Sequence, residues 1–386
     1  MVPLTLIYLD HNSSTPLAPE AFEEMRPFLT EHHGNAASAH SAGRYLAEAV
    51  EVSRKRVADL VGAPAGDIVF TSGGTESNNW VLNGVARAGS ASRRHVVISG
   101  VEHFSVAQSS GLLENEGYAV TVVPPDGDGR IDPARLLAAF RSDTLLVSLM
   151  LAQNEVGALE PVAEVTRAAR EMGILSHSDA AQAVGKIPVD VERLGVDFLT
   201  IAGHKLYGPK GIGALFLRPG SPVASWMLGA PHERGLRAGT LNVPGIVGLG
   251  SAAKLAKEKL GIEVPRLRRL SSRLWRGLLS RIEGVLLNGP PLESEDRLPN
   301  TVNVSFPGIR SYELLPLVPE VATTAGAACH SGDPRPSATL MAMGLSFERA
   351  IGAVRFSLGS GTTEEEIDRT VELFAEGMEK CRGAER

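Results

Sequence analysis

Four short stretches of the chain carry residues able to do covalent or ionic chemistry. In LTIAGHKLYGPKGIGAL, Lys205 follows a buried-looking strand and His204, inside a glycine-rich turn. A lysine desolvated in this way sheds its proton and becomes nucleophilic toward a carbonyl, as a Schiff-base lysine must. Lys210, between Pro209 and Gly211, reads instead as a solvated turn lysine. ILSHSDAAQAVGK puts Asp179 and Gln182 just past the C-terminal end of a strand, where open α/β sheets bind ligands. Asp179 there either pairs with a ring N–H or caps a helix. AVRFSLG holds Arg355 in a strand-like run, where a guanidinium acts as a bidentate carboxylate clamp or as half of a structural ion pair. TAGAACHSG holds Cys329 among small residues, directly before His330. A cysteine of this kind is a small buried hydrophobe or, as thiolate, a nucleophile.

Three further positions gain meaning from what surrounds them. After DIVFTS, the run Gly73-Gly74-Thr75-Glu76 enters a helix. Backbone N–H groups at a helix start, helped by the Thr75 hydroxyl, can close on a phosphate, and an ordinary helix cap is the alternative. Neither G-x-G-x-x-G nor the P-loop pattern is present, which disfavours a nucleotide but not another phosphate ligand. His103, in SGVEHFSV, follows a strand and opens a helix, so its imidazole could stack on a ring, move protons or be structural. Asn154, in LAQNEVG, offers an amide to a ring substituent or carboxylate, or shapes a turn. His32, His33 and His232 look ordinary, and with no H-E-x-x-H or comparable spacing no metal is assigned.

The elements that must position these groups can be read from periodicity. The apolar runs DIVFTS, HVVISG, YAVTVVP, TLLVSLMLA, ILSHSDA, DFLTIAG and GALFLRP alternate with helical patterns such as TESNNWVLNGVARA and VAEVTRAAREMG. That alternation predicts βαβ units and a mostly parallel sheet covered on both faces, a large domain over residues 20–255. A long amphipathic helix follows from Gly245 to Ile282, with a break expected near Pro265. The short apolar segments after it, and a closing helix from Thr363 to Glu379, predict a smaller α+β domain made of residues 1–19 and 256–386.

Composition narrows the function class. At 386 residues the chain has room for two cores, and 43% hydrophobic with 21% charged residues is the make-up of a soluble globular protein. Lys and Arg number 38 against 44 Asp and Glu, a net charge of −6 that offers no basic field for nucleic acid or anionic lipid. No signal peptide and no apolar run of membrane-spanning length is present, which points to the cytoplasm. With cysteine only at 329 and 381, neither a disulfide framework nor a cysteine zinc site is expected. Cys381, in the charged C-terminal helix, reads as structural.

These stretches together resemble the cysteine desulfurases and selenocysteine lyases, pyridoxal phosphate (PLP) enzymes of fold type I in the class V aminotransferase superfamily. The resemblance covers nearly the whole chain: YLDHNSSTPLAPE, HGNAASAHSAGR, FTSGGTESNN, VEH, NEVG, SDAAQAVGK, GHKLYGPKGIGAL, ERGLRAGTLNVP, LPNTVN, GAACHSG and VRFSLG. It implies a large domain with a mostly parallel seven-stranded sheet between helices, plus the smaller α+β domain. It implies that Lys205 holds PLP and acts as base at Cα, that His103 stacks on the ring, that Asp179 protonates the ring nitrogen, and that Gln182 meets the ring hydroxyl. Gly74, Thr75 and His204 would hold the phosphate, with Thr240 reaching the phosphate of the other subunit of a homodimer. Asn35, Asn154 and Arg355 would bind the amino acid, Asn154 also touching the cofactor. Cys329 would take sulfur from L-cysteine as a persulfide for an acceptor protein. Two departures stand out. Ala202 and Gly203 fill positions where many members carry a phosphate-binding hydroxyl, and GAACHSGD differs from the GSACTS-like form of housekeeping desulfurases. The histidine form resembles the selenocysteine lyase branch, which keeps L-selenocysteine open as a substrate, and desulfurases of specialised pathways such as DNA phosphorothioation.

Overall fold

The computed structural model describes residues 6–89, 92–325 and 335–384. A short strand β1 (Ile7–Tyr8) leads into helices α1 (Pro19–Thr30) and α2 (Ser41–Val61). The chain then alternates: β2 (Ile68–Thr71), α3 (Gly74–Ala88), β3 (His95–Ser99), α4 (Phe104–Asn115), β4 (Ala119–Val123), α5 (Pro133–Ala138), β5 (Thr144–Ser148), α6 (Val162–Glu171), β6 (Leu175–Asp179), α7 (Val191–Leu194), β7 (Phe198–Ala202) and β8 (Gly213–Leu217). Strands β2 to β8 are the seven apolar runs of the sequence, and they form one sheet in the order β2-β8-β7-β6-β5-β3-β4. Only β8 runs against its neighbours.

Successive side chains of a strand point to opposite faces, and here both faces are covered. Leu199, Ile201 and Phe216 enter the core beneath α2, with Val57 and Leu249, while Phe198, Leu215 and Leu217 meet Trp80 and Leu82 of α3 on the other side. Because the helices lie on both faces, every parallel strand delivers its C-terminal end to the same edge. Asp179 ends β6, and His103 and Lys205 lie a few residues beyond β3 and β7.

Helix α8 (Val243–Arg281) joins this layer to a second one. Ile246, Leu249 and Ala253 sit in the first core, whereas Leu267, Leu270, Leu274 and Leu278 sit in a second core with Leu9, Phe306, Phe356 and Phe374. Each of those leucines contributes about 2 kcal/mol by burial. The expected break at Pro265 does not occur, since α8 runs continuously through it. Proline removes the hydrogen bond to the carbonyl four residues back. That residue, Gly261, is exposed, so water can satisfy the carbonyl while both ends of the helix stay packed.

The second layer comprises β9 (Leu286–Asn288), β10 (Thr301–Ser305), α9 (Ser311–Leu314), β11 (Val321–Ala322), β12 (Thr324–Ala325), α10 (Ala338–Ala342), α11 (Phe347–Ile351), β13 (Ala353–Ser357) and α12 (Glu364–Ala384). Its antiparallel sheet has the order β12-β13-β10-β9. Helix α12 opens on a capping box in which Thr363 Oγ1 accepts from the Glu366 N–H and the Glu366 carboxylate accepts from the Thr363 N–H. The chain's N-terminal segment is stitched into both layers. β1 pairs in parallel with β11, the His11 N–H donates to the Ser357 carbonyl, and the Thr15 N–H donates to the His204 carbonyl.

Candidate active site

The strand ends of the large sheet, with residues 12–14 and 355 from the second layer, enclose a cavity of about 590 Å³. Gly74, Thr75, His103, Asn154, Asp179, Gln182, His204, Lys205 and Arg355 all line it. Lys210 is solvent-exposed, yet it borders the cavity too. Asn35 and Thr240 do not line it: both are exposed, and Asn35 Oδ1 accepts from the Ala37 N–H in a local turn. Cys329 and His330 lie outside the described residues.

Lys205 closes the short 3₁₀ turn that follows β7. Its Nζ donates to the carbonyls of Asn12, at 2.6 Å, and Ser13, at 2.7 Å. Burial and then the Arg355 guanidinium push its amine down to about 8, against the pull of Asp179 and Asp10. At pH 7 roughly a tenth of it is the neutral nucleophile, a few hundred-fold more than an ordinary lysine offers. His204 is driven down to about 4 by burial, then by Lys205, Lys210, Lys186 and His103, so at pH 7 it carries no charge of its own.

Asp179 and His103 are connected. Asp179 Oδ1 accepts from the Ala181 N–H and so caps a turn, not the helix that its position suggested, and Oδ2 accepts from Asn78 Nδ2 at 2.7 Å. The same Asn78 nitrogen donates to Ser105 Oγ, and Ser105 Oγ lies 2.8 Å from His103 Nδ1. Because Nδ1 accepts from the Ser105 N–H, the imidazole proton belongs on Nε2. Beneath this chain the Glu102 carboxyl accepts from Ser99 Oγ and from the Met150 N–H, which ties the ends of β3 and β5 together. Burial raises that carboxyl to about 8.

At the start of α3, Gly73 has φ 147°, a value that favours glycine, and brings the helix N-terminus onto the cavity. Gly213 allows β8 to run close beneath, since a Cβ there would lie 2.7 Å from Gly73 Cα. Glu76, in the first turn of α3, accepts a bidentate pair from Arg237 at 2.9 and 3.1 Å, which fastens the loop that carries Thr240 to this helix. Ala202 lines the cavity where a hydroxyl would otherwise be, and the nearby Thr200 hydroxyl bonds His177 Nε2 instead. Helix N–H groups, Thr75 and His204 are thus the anion-seeking groups at this end.

Arg355 stands in the middle of β13, 6% exposed. Its Nη2 pairs with Asp10 Oδ1 at 2.8 Å and donates to Ser13 Oγ at 2.7 Å, while Nη1 donates to the Asn154 carbonyl. The structural ion pair is therefore made, and the guanidinium still borders the cavity. Its Nε is buried without a partner among the described residues. Asp10, Asn12, Asn78, Ser105 and Lys186 were not singled out in the sequence. Asn12 acts on Lys205 through a carbonyl, which every residue type has, and Asn78 and Ser105 look like any polar residue near the start of a helix.

The donor set fits PLP. A helix N-terminus with a hydroxyl suits the phosphate, a buried carboxylate and an imidazole suit the ring, and an amine of lowered basicity suits the aldehyde. The profile of the family Aminotransferase class-V matches residues 7–370. The chain is 46% identical, over 97% of its own length and 93% of the relative's, to the cysteine desulfurase IscS of Anaeromyxobacter dehalogenans (strain 2CP-C). Among solved structures it is similar to a NifS-like protein, with TM-score 0.90 and 37% identity, covering 97% of this chain and 99% of that one. It is also similar to SspA in complex with cysteine, with TM-score 0.79 and 32% identity, covering 91% and 98%. With this match over nearly its whole length, the chain belongs to the class-V aminotransferase family, as a PLP-dependent relative of the cysteine desulfurases.

Proposed function

We propose that the protein is a cysteine desulfurase that converts L-cysteine to L-alanine and carries the sulfur as a persulfide on Cys329. The observation that carries this reading is the Lys205 amine, lowered to about 8, opening on the same cavity as Asp179 and the Arg355 guanidinium. Bound in that cavity, PLP supplies an electron sink for negative charge at Cα and Cβ of the amino acid.

The chain's own groups do the rest. Lys205 Nζ would hold the cofactor's aldehyde group and, as a free amine, would take the proton from Cα of the amino acid. Asp179, oriented by Asn78 and the Ala181 N–H, would hold a proton on the ring nitrogen. His103 would stack on the ring, Gln182 would meet the ring hydroxyl, Asn154 would touch both ring and substrate, and Gly74, Thr75 and His204 would hold the phosphate. Arg355 binds the substrate carboxylate, and Asn35 helps hold the amino acid. The Cys329 thiolate would attack the substrate sulfur: an S–S bond forms, the Cβ–S bond breaks, the electron pair left at Cβ takes up a proton to give the methyl group, and the proton taken from Cα is returned there to complete alanine.

The same reading includes a homodimer in which Thr240 reaches the partner's phosphate, and the exposure of Thr240 and Asn35 in a single chain supports such a contact. It includes an acceptor protein for the persulfide and a cytoplasmic location. No helix among the described residues is long and apolar enough to cross a membrane. It also includes the division into a large domain, residues 20–255, and a small one, residues 1–19 and 256–386. The exchange of core partners along α8 between Ala253 and Leu267 supports that division.

The test feeds limiting L-cysteine or L-selenocysteine to the PLP-loaded protein, measures alanine, and maps the persulfide by alkylation and mass spectrometry. Alanine from cysteine with a labelled Cys329 is expected. A large preference for selenocysteine, or unchanged turnover in Cys329→Ala, would overturn the reading.

A further inference from the structure

Lys186 is a buried lysine whose hydrogen bonds among the described residues go to amide oxygens and to no carboxylate. It lies four residues after Gln182, in the run of turns that follows β6, 8% exposed. Its Nζ donates to Gln182 Oε1 at 2.6 Å and to Asn12 Oδ1 at 3.0 Å. The titratable groups around it are Lys205, Arg355 and the His11 and His204 imidazoles, both driven down to about 4. Burial, then Lys205 and Arg355, push its amine well below the lysine range. The neutral amine this favours has two N–H bonds, matching the two acceptors it meets.

The contacts form a closed set. Gln182 Nε2 donates to the Asn12 carbonyl at 2.8 Å, the same oxygen that receives Lys205 Nζ. Asn12 Oδ1 accepts from Lys186 and from Asn300 Nδ2, and Asn12 Nδ2 donates to Thr301 Oγ1 and to the Asn154 carbonyl. A backbone carbonyl can only accept, so the Asn12 carbonyl fixes which end of the Gln182 carboxamide is the NH₂. Lys186 holds the other end. One amide N–H goes to Asn12, and the second is left for the cavity that Gln182 lines.

We propose that Lys186 is a positioning residue of the site: by holding Gln182 Oε1 it keeps the free N–H of that carboxamide aimed at the ring hydroxyl of the bound cofactor. Without Lys186, Gln182 Oε1 would be buried without a donor, and the amide would turn to find one. The inference rests on reading Gln182 as the partner of that hydroxyl. A donor on the hydroxyl oxygen favours its negatively charged form, so losing it lets the chromophore keep its proton to higher pH.

The experiment follows the visible band of PLP bound to the full chain against pH, in wild type, Lys186→Met, Gln182→Ala and the double variant, with melting temperature as a second readout. Lys186→Met keeps the volume and removes the donors, so it should fold, and Lys186→Leu carries the same expectation should the methionine protein not. Lys186→Met is expected to raise the titration midpoint by about one unit, a tenfold change in proton affinity, and to add nothing further in the Gln182→Ala background. If Gln182→Ala leaves the midpoint in place, the reading of Gln182 itself fails. If Gln182→Ala shifts it but Lys186→Met does not, or shifts it equally in both backgrounds, Lys186 has only a structural role and the inference is overturned.

Discussion

On the sheet side of the cavity, Asp179, Asn78, Ser105 and His103 follow one another through contacts of 2.7 to 2.8 Å, each residue standing at a strand end or near the start of a helix. On the opposite side, Gln182, Lys205 and Arg355 are tied to Asn12, Ser13 and Asp10, across sequence separations from 170 to 345 residues. The first wall exists as soon as the large sheet has its helices. The second exists only once the N-terminal segment has paired with β11 and the Ser357 end of β13, because that pairing brings residues 10–13 over the strand ends. The chain from Asp179 to His103 is thus a property of one core, while the side that holds Gln182, Lys205 and Arg355 is a property of the contact between two.

Lys205 is bonded to the second wall and acted on by the charge of Asp179 in the first, so its removal should have the largest effect. Lys205→Ala is expected to abolish the visible absorbance of the cofactor and to lower turnover by about 10³-fold or more. Residual wild-type turnover would refute its role. Arg355→Gln should break the second wall alone: KM for cysteine rises about 10²-fold, as loss of a charged carboxylate contact predicts, while PLP affinity holds. A matching loss of PLP affinity would mean the walls are one unit.

Lys205 also gives a pH test. Its folded pKa, about 8, lies below the unfolded value, so the protonated amine is the form the fold disfavours. PLP uptake by the apoprotein should climb about tenfold per unit up to pH 8 and then level off. Apoprotein stability should rise between pH 8 and the ordinary lysine range, because over that window the unfolded chain binds the extra proton. An uptake midpoint near 10 would show that the amine is not desolvated.

The difference between the walls also decides how much the sequence reveals. Strand ends are local events, so HVVIS before His103, ILSHSD before Gln182 and DFLTIA before Lys205 place three site residues at the correct edge without any tertiary information. Arg355 is half legible: a guanidinium inside a β run declares that something meets it, but not that Asp10, 345 positions away, does so. Asn12 is hidden for a different reason. It holds Lys205 by a carbonyl, and its side chain bonds Lys186, Asn300 and Thr301, none of which is periodic with it. Pro265 failed as a helix breaker because the packing at both ends of α8 outweighs one missing hydrogen bond in an exposed turn.

The smallest expected effect probes the first wall by itself. Asn78 donates from one nitrogen to Asp179 Oδ2 and to Ser105 Oγ. Asn78→Ala leaves Asp179 with its Ala181 contact and frees Ser105 Oγ, but keeps every group of the second wall. Losing one buried hydrogen bond to a charged group is worth about 1.5 kcal/mol, roughly tenfold. That tenfold should appear in PLP affinity and in kcat if Asp179 and His103 face the ring as proposed, and KM for cysteine should stay at its wild-type value. A tenfold rise in KM instead would mean that Asn78 reaches the side where Arg355 stands, and the division between a wall set by the sheet and a wall set by the N-terminal segment would fail at its simplest point.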